Sequence, residues 1–227
     1  MQNTHVERDY GNRLRMIRES LLLMAGQVEQ MISQSMRALA ERDKALAERT
    51  IELDQRVNRA EVETDDLCLR TLARFHPAGA DLRFISLALK MVTDLERIGD
   101  LAVNICERAL DLADAPMLEI PPQAQQMTTI VQSMVRDAID AFVNADDAMA
   151  HEVIARDDEV DALYHEAFRN TLARMQEQPA DMKRGIHVLS VVKWLERMAD
   201  HSTNLAEQVI FLTRGEDVRH SGKLDKR

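Results

Sequence analysis

The run Leu95-Glu96-Arg97-Ile98-Gly99-Asp100, continuing to Asn104 and Glu107, returns 100 residues later as Leu195-Glu196-Arg197-Met198-Ala199-Asp200, continuing to Asn204 and Glu207. A polar set repeated over such a distance means two related halves. Within each copy Glu, Asp, Asn and Glu stand at i, i+4, i+8 and i+11. A helix turning about 100° per residue gathers those positions onto one stripe. Each half must therefore contain a long helix that carries a carboxylate row, and matching rows suggest matching sites.

Helical periodicity extends through the rest of the chain. Leu14, Ile17, Leu21, Met24, Val28, Met31, Ile32, Ser35 and Leu39 step by three or four, as one amphipathic helix requires. Asp43 is placed to cap a second helix running through Ile51, Val57, Val62 and Leu69 to Arg74. His76-Pro77-Ala78-Gly79-Ala80 stops it, and a third helix spans about Asp81 to Leu112. Three prolines between 114 and 122 mark a linker. The second half repeats the order: a helix from Gln123 to Asn144, a turn at Asp146-Asp147, a helix to Gln176, a break at Gln178-Pro179 and a last helix to about Arg214. With only 7 Gly, 5 Pro and 4% aromatic residues, a sheet-rich fold is disfavoured. The expected architecture is all-α: two tandem, sequence-related three-helix bundles of six long helices, over 1–113 and 123–227, joined by the Pro-rich linker 114–122.

The halves align at two offsets. Asp43 with Asp146, Ile51 with Ile154, Asp54 with Asp157 and Val57 with Val160 lie 103 apart, whereas the acidic motifs lie 100 apart. Losing three residues inside a helix would turn everything beyond by about 60°. The loss is therefore expected in the turn between His76 and Asp81, and the shared Thr-Leu-Ala-Arg at 71–74 and 171–174 is expected to be coincidental.

Composition narrows the function. A net charge of −10 disfavours nucleic acid or an anionic lipid surface as partner, since both repel an acidic protein at long range. Cys68 and Cys106 sit in helical apolar patterns and read as reduced, buried thiols. No apolar run reaches the roughly 18 to 20 residues of a membrane span, and the first residues lack the layout of a signal peptide. A soluble, cytoplasmic protein is the expectation.

On a wheel of the third helix, Val92, Leu95, Ala102, Cys106 and Leu110 form the core face, and Glu96, Asp100, Asn104 and Glu107 border it. Carboxylates four residues apart repel each other, so something positive belongs there. The preceding helix of each half offers a second pair at that spacing, Asp54 with Asn58 and Asp157 with Asp161. Such an all-oxygen set suits Mg²⁺, Mn²⁺ or Ca²⁺, and carboxylate-rich clusters also hold iron. Neither Glu96 nor Glu196 is followed by His at the Glu-x-x-His spacing of ferritin-type di-iron helices. The ordinary alternative is a solvated face with ion pairs to Arg97 and Arg197. Single acidic pairs are common on charged helices, but here Glu, Arg, Asp, Asn and Glu keep identity between halves while apolar positions such as Ile98/Met198 keep only character. His165 and His201 are lesser candidate ligands, more often simply exposed or hydrogen-bonded in such settings. Among the 13 Met, those at helical spacing such as Met24, Met31, Met36, Met91 and Met134 are expected to fill the core rather than bind a metal or cofactor, and Trp194 is expected to anchor the last helix. No phosphate-binding loop, dinucleotide loop or nucleophile elbow is present.

Together, Leu95 to Asp100 with Asn104-Ile105, the second copy with Asn204, and the tail Gly215-Glu216-Asp217-Val218-Arg219-His220 resemble the PhoU family. Asp54-Gln55-Arg56-Val57-Asn58, Asp157-Asp158-Glu159-Val160-Asp161 and Asp81-Leu82-Arg83 match its other motifs. The resemblance covers most of the chain. It implies two three-helix bundles in a homodimer, with divalent or iron-type ions (Mg, Mn or Fe) held at carboxylate clusters. By position the metal-site candidates are Asp54, Asn58, Glu96 and Asp100 in the first half, and Asp157, Asp161, Glu196 and Asp200 in the second. Asn58 would weaken the first site, and Gly99/Ala199 and Leu101/His201 allow the two to differ. The resemblance further implies a cytoplasmic, non-enzymatic negative regulator of phosphate uptake, linking the ATPase subunit of the phosphate ABC transporter with a sensor histidine kinase. The rivals are a carboxylate-metal enzyme such as a phosphohydrolase and a metal-free adaptor.

Overall fold

The computed structural model describes residues 2–113 and 119–215, apart from the side chains of 2–6 and 181. The described residues form six α-helices: α1 (Gln2–Glu41), α2 (Lys44–Phe75), α3 (Gly79–Leu112), α4 (Pro122–Asn144), α5 (Asp147–Glu177) and α6 (Met182–Arg214). A 3-10 turn at Pro179–Asp181 leads into α6. α1, α2 and α3 pack on one another, as do α4, α5 and α6, and the two bundles join through α3 on α6 and α1 on α4. The tail motif at 216–220 and the linker at 114–118 lie outside the described residues.

The helix starts and stops follow local chemistry. Asp43 and Asp146 accept the backbone N–H of Leu46 at 2.9 Å and of Met149 at 3.1 Å, which satisfies one orphan donor at each helix start. α2 ends where His76 turns left-handed at φ 47° ahead of Pro77. α1 begins a dozen residues before its apolar pattern does. Its first turns are pinned to the α2–α3 turn: Tyr10 lies 5.1 Å from the Phe75 ring, its hydroxyl donates to Asp81 at 2.8 Å, and Asp9 pairs with Arg74 at 3.1 Å.

Burial fixes the register between halves. Ala47, Thr50, Val57, Thr64 and Cys68 are buried on α2, and Ala150, Val153, Val160, Ala167 and Thr171 on α5, a displacement of 103 along the whole helix. On α3 and α6 the displacement is 100, from Ile85/Gly185 through Leu95/Leu195 to Ala109/Val209. The change falls in the turn, where residues 76–78 separate α2 from α3 but Gln178 alone separates α5 from the 3-10 turn. Thr171 thus occupies the place of Cys68, and its identity with Thr71 is accidental.

The core is one cluster across both bundles, and it includes every α1 residue of the apolar pattern except Leu14, which packs at its edge, and the buried Ser35. α2 departs from expectation, because Val62 and Leu69 are 67% and 57% exposed. Its buried face carries Thr50, Thr64 and Thr71 instead, whose hydroxyls donate to the carbonyls four residues back at 2.8, 2.6 and 2.6 Å. A threonine satisfied within its own helix can enter a core without an unpaired donor. Cys68 and Cys106 are free and buried, and burial pushes both thiols up to about 12. Among the described residues no helix is long and apolar enough to cross a membrane.

Loss of either cap should be measurable. Asp43→Ala and Asp146→Ala are each expected to lower stability by about 1 kcal/mol in urea unfolding. Unchanged midpoints would mean that packing alone sets these helix starts.

Candidate cation sites on the helix seams

The first seam lies where α2 faces α3. Asn58 Nδ2 donates to Asp54 Oδ2 at 2.8 Å, while Asp54 Oδ1 and Asn58 Oδ1 are buried without a donor. The nearest part of α3 is Gly99, where an added Cβ would stand 3.2 Å from Asp54 Oδ1. Glycine therefore lets the carboxylate sit against the α3 backbone. Glu96 and Asp100 flank it on α3, and their charges reach across the seam. Burial and then Asp100 hold Asp54 above the usual carboxylate range. Burial, Asp100 and Glu61 carry Glu96 up to about 6.

α2 supplies two further acids that the repeat did not reveal. Glu61 and Asp65 continue from Asp54 and Asn58 at i+7 and i+11, the same stripe geometry as on α3. Burial and Asp65 raise Glu61, burial raises Asp65, and Asp65 Oδ1 also lacks a donor. Helical spacing alone would have found them. They were passed over because Tyr164 and Phe168 stand at their counterparts in the second half. The compensating charge is Arg97, 3.6 Å from Glu96 and 3.4 Å from Asp100, but its side chain is 57% exposed and well screened.

The second seam, between α5 and α6, is balanced differently. Burial, then Asp161 and Asp200, push Asp157 up to about 6. Lys193 replaces Thr93 and places Nζ 2.6 Å from the Glu196 carboxylate and 5.2 Å from the Tyr164 ring centroid. Burial disfavours the lysine's charge, yet its hydrogen bond to Glu196 and the charges of Glu196, Tyr164 and Asp200 outweigh that and raise its pKa. Buried Ala199 replaces Gly99. This seam contains its own cation.

Each half thus brings its four predicted residues to one seam. Among the described residues, no three His, Cys, Asp or Glu side chains converge on a ready metal-binding group. The donors form two facing rows. The rest of each stripe goes elsewhere: Glu107 is exposed, and Asn204 and Glu207 line a groove between α6 and α3. His201 turns to Asp94 of α3 at 2.9 Å, and His165 is exposed beside Tyr164. Trp194 packs against the core with the Arg108 guanidinium 5.8 Å from its ring centroid.

The raised carboxyls have a pH signature. Folded Glu96 and Asp157 bind protons more tightly than their unfolded forms, so stability rises as pH falls through about 6 toward the ordinary values of 4.5 and 3.8. In chelator-treated protein, urea midpoints should increase from about pH 7 to about pH 5. Glu96→Gln and Asp157→Asn should flatten that slope, and an unchanged slope in both would contradict the assignment.

Known proteins share the fold and its duplication. A family model described as the PhoU domain matches residues 21–109 and 124–209, one copy in each bundle. A phosphate-specific transport system accessory protein PhoU homolog of Pseudomonas putida is 39% identical over 221 residues, 96% of this chain and 86% of the relative. The accessory protein PhoU of Escherichia coli (strain K12) is 31% identical over 226 residues, 99% of this chain and 94% of that protein. The crystal structure of PhoU from Pseudomonas aeruginosa superposes with a TM-score of 0.88 at 36% identity, covering 91% of this chain and 100% of that one. The phosphate transport system regulatory protein PhoU from Streptococcus pneumoniae gives a TM-score of 0.85 at 29% identity, covering 92% and 99%. With the duplicated domain and near full-length similarity in agreement, the chain belongs to the PhoU family.

Proposed function

We propose that the protein is a non-enzymatic regulator of phosphate transport and phosphate-starvation signalling, a helical adaptor whose seams hold cations. Similarity along almost the whole chain to accessory proteins of the phosphate-specific transport system supports the pathway. The partners proposed are the ATPase subunit of a phosphate ABC transporter and a sensor histidine kinase, met in the cytoplasm by a homodimer. The acidic net charge and the lack of a membrane-crossing helix among the described residues favour protein partners over nucleic acid or lipid.

The observation that carries the cation reading is the first seam. Asp54, Asn58, Glu61, Asp65, Glu96 and Asp100 form an oxygen-only donor set with three buried oxygens lacking donors. That chemistry fits a hard ion such as Mg²⁺, Mn²⁺ or Fe²⁺. When bound, such an ion supplies the positive charge that Arg97 provides only weakly. Asn58 lowers the charge of this seam, but Glu61 and Asp65 more than restore it, so the first seam is the stronger site. In the second seam, Asp157, Asp161, Glu196 and Asp200 already share Lys193.

Elemental analysis of protein purified without chelator tests this assignment. Glu96→Ala with Asp100→Ala should remove most bound metal while leaving helicity nearly unchanged, since Ala favours helix. Glu196→Ala with Asp200→Ala should remove less, and Lys193→Met should raise the metal content. No metal in the native protein, even after soaking with Mg²⁺, Mn²⁺ and Fe²⁺, would overturn the cation reading and leave the carboxylates as a docking surface for basic partner residues. Metal-dependent turnover of phosphate esters would overturn the non-enzymatic one.

A further inference from the structure

α4 repeats the buried positions of α1 at a displacement of 103, from Leu21/Ala124 to Leu39/Phe142. In that register Pro122, where α4 starts, corresponds to Glu19, so the part of α1 before Glu19 has no helical counterpart among the described residues. In the first bundle that part of α1 covers the turn between α2 and α3. Ile17 is fully buried, Arg18 lies over Phe84 at 4.6 Å from its ring centroid, and Phe84 and Ile85 are both buried. In the second bundle the same place is a cavity of about 260 Å³ between α5, α6 and the segment 119–123.

The residues around the cavity differ as a set from those of the first bundle. Arg184 stands at the position of Phe84, Gly185 at that of Ile85 and Arg174 at that of Thr71, while Ile120 keeps the position of Ile17. Gly185 lets Met175 lie against the α6 backbone, since an added Cβ would stand 2.4 Å from its Cγ and Sδ. Met175, Ile120, Pro121 and Val188 give the cavity an apolar floor. Arg174 and Arg184 border it from facing helices, with the Asn170 amide beside them. The one acid in the lining is Glu119, which pairs with Arg174. With the two side chains 74% and 48% exposed, that pair is well hydrated and yields readily to another anion. The local balance is thus positive in a chain of net charge −10.

We propose that this cavity binds a small organic anion, a compact apolar body carrying one carboxylate or phosphate group. The body rests on the floor, where the Met175 thioether favours a ring, and the anionic group takes both guanidiniums, displacing Glu119 from Arg174. Size favours a free small molecule over a partner's helix. The cavity holds about nine waters at ~30 Å³ each, room for one or two fused rings. A single turn of helix, about 10 Å across and 5.4 Å tall, would need roughly 400 Å³. The proposal stands apart from the cation reading, because none of the seam carboxylates lines the cavity.

The test is an NMR titration of the labelled full chain in the presence of chelator, with 2-naphthoate and 2-naphthyl phosphate as anions and 2-naphthamide as the neutral isostere. Saturable shifts of the Gly185 backbone amide and of the Asn170 and Gln123 side-chain amides are expected with at least one anion, and the tighter of the two identifies the group that the arginines prefer. The neutral isostere should bind roughly tenfold more weakly, a difference of about 1.4 kcal/mol. Arg174→Gln and Arg184→Gln, at positions that solvent reaches, should each weaken binding of the anion by roughly the same factor. Glu119→Gln, which removes the competing carboxylate, should strengthen it. Equal binding of the neutral isostere, undiminished binding to either arginine variant, weakened binding to the Glu119 variant, or no saturable shift would overturn the proposal. So would saturation by inorganic phosphate at the same concentration, which would leave the apolar floor without a role. Saturation by N-acetyl-Asp-Leu-amide but by neither naphthyl anion would overturn it in favour of a partner's acidic side chain.

Discussion

Like charges held beside an apolar core are the constraint around which each half is organised. The core draws α2 against α3 and α5 against α6, with Val57, Leu95, Val160 and Leu195 all fully buried. That packing brings the carboxylates at the edge of each helix into the same strip. Exposed, such charges would be hydrated and screened. Half-buried, they raise one another's pKa and demand compensation. Each half meets the demand in its own way, the first with Arg97 and three unpartnered oxygens, the second with the half-exposed Lys193 on Glu196.

Duplication followed by divergence explains why one fold carries two unlike seams. The backbone positions of the first seam persist in the second, but Gly99 became Ala199, Thr93 became Lys193, and Glu61 and Asp65 correspond to Tyr164 and Phe168. The substitutions are mutually consistent: a lysine with an aromatic ring to rest on replaces two acids. The joint between the bundles has diverged in the same manner. An indole under a guanidinium at one end faces a carboxylate and an amide at the other.

Much of this was legible in the residues. Amphipathic periodicity and the repeat located all six helices, the cap Asp43 and the turn that absorbs the change of register. Two kinds of information were hidden. α2 buries threonines because their hydroxyls bond to their own helix, a pairing that hydropathy does not register, while the apolar Val62 and Leu69 of the same helix stay exposed. Glu61 and Asp65 escaped because repetition served as the filter for function, and they are where the halves differ. Lys193 lies three residues before Glu196 in plain view, but its ring partner Tyr164 belongs to another helix and only the packing joins them.

The central claim, that the first seam binds a cation where the second supplies its own, is tested most directly by anomalous diffraction from crystals of the full chain grown with Mn²⁺. The account predicts an anomalous peak between α2 and α3, among Asp54, Glu61, Glu96 and Asp100, stronger than any peak between α5 and α6. A peak confined to the second seam beside Lys193, or none at either seam with Mn²⁺ in excess, would contradict it.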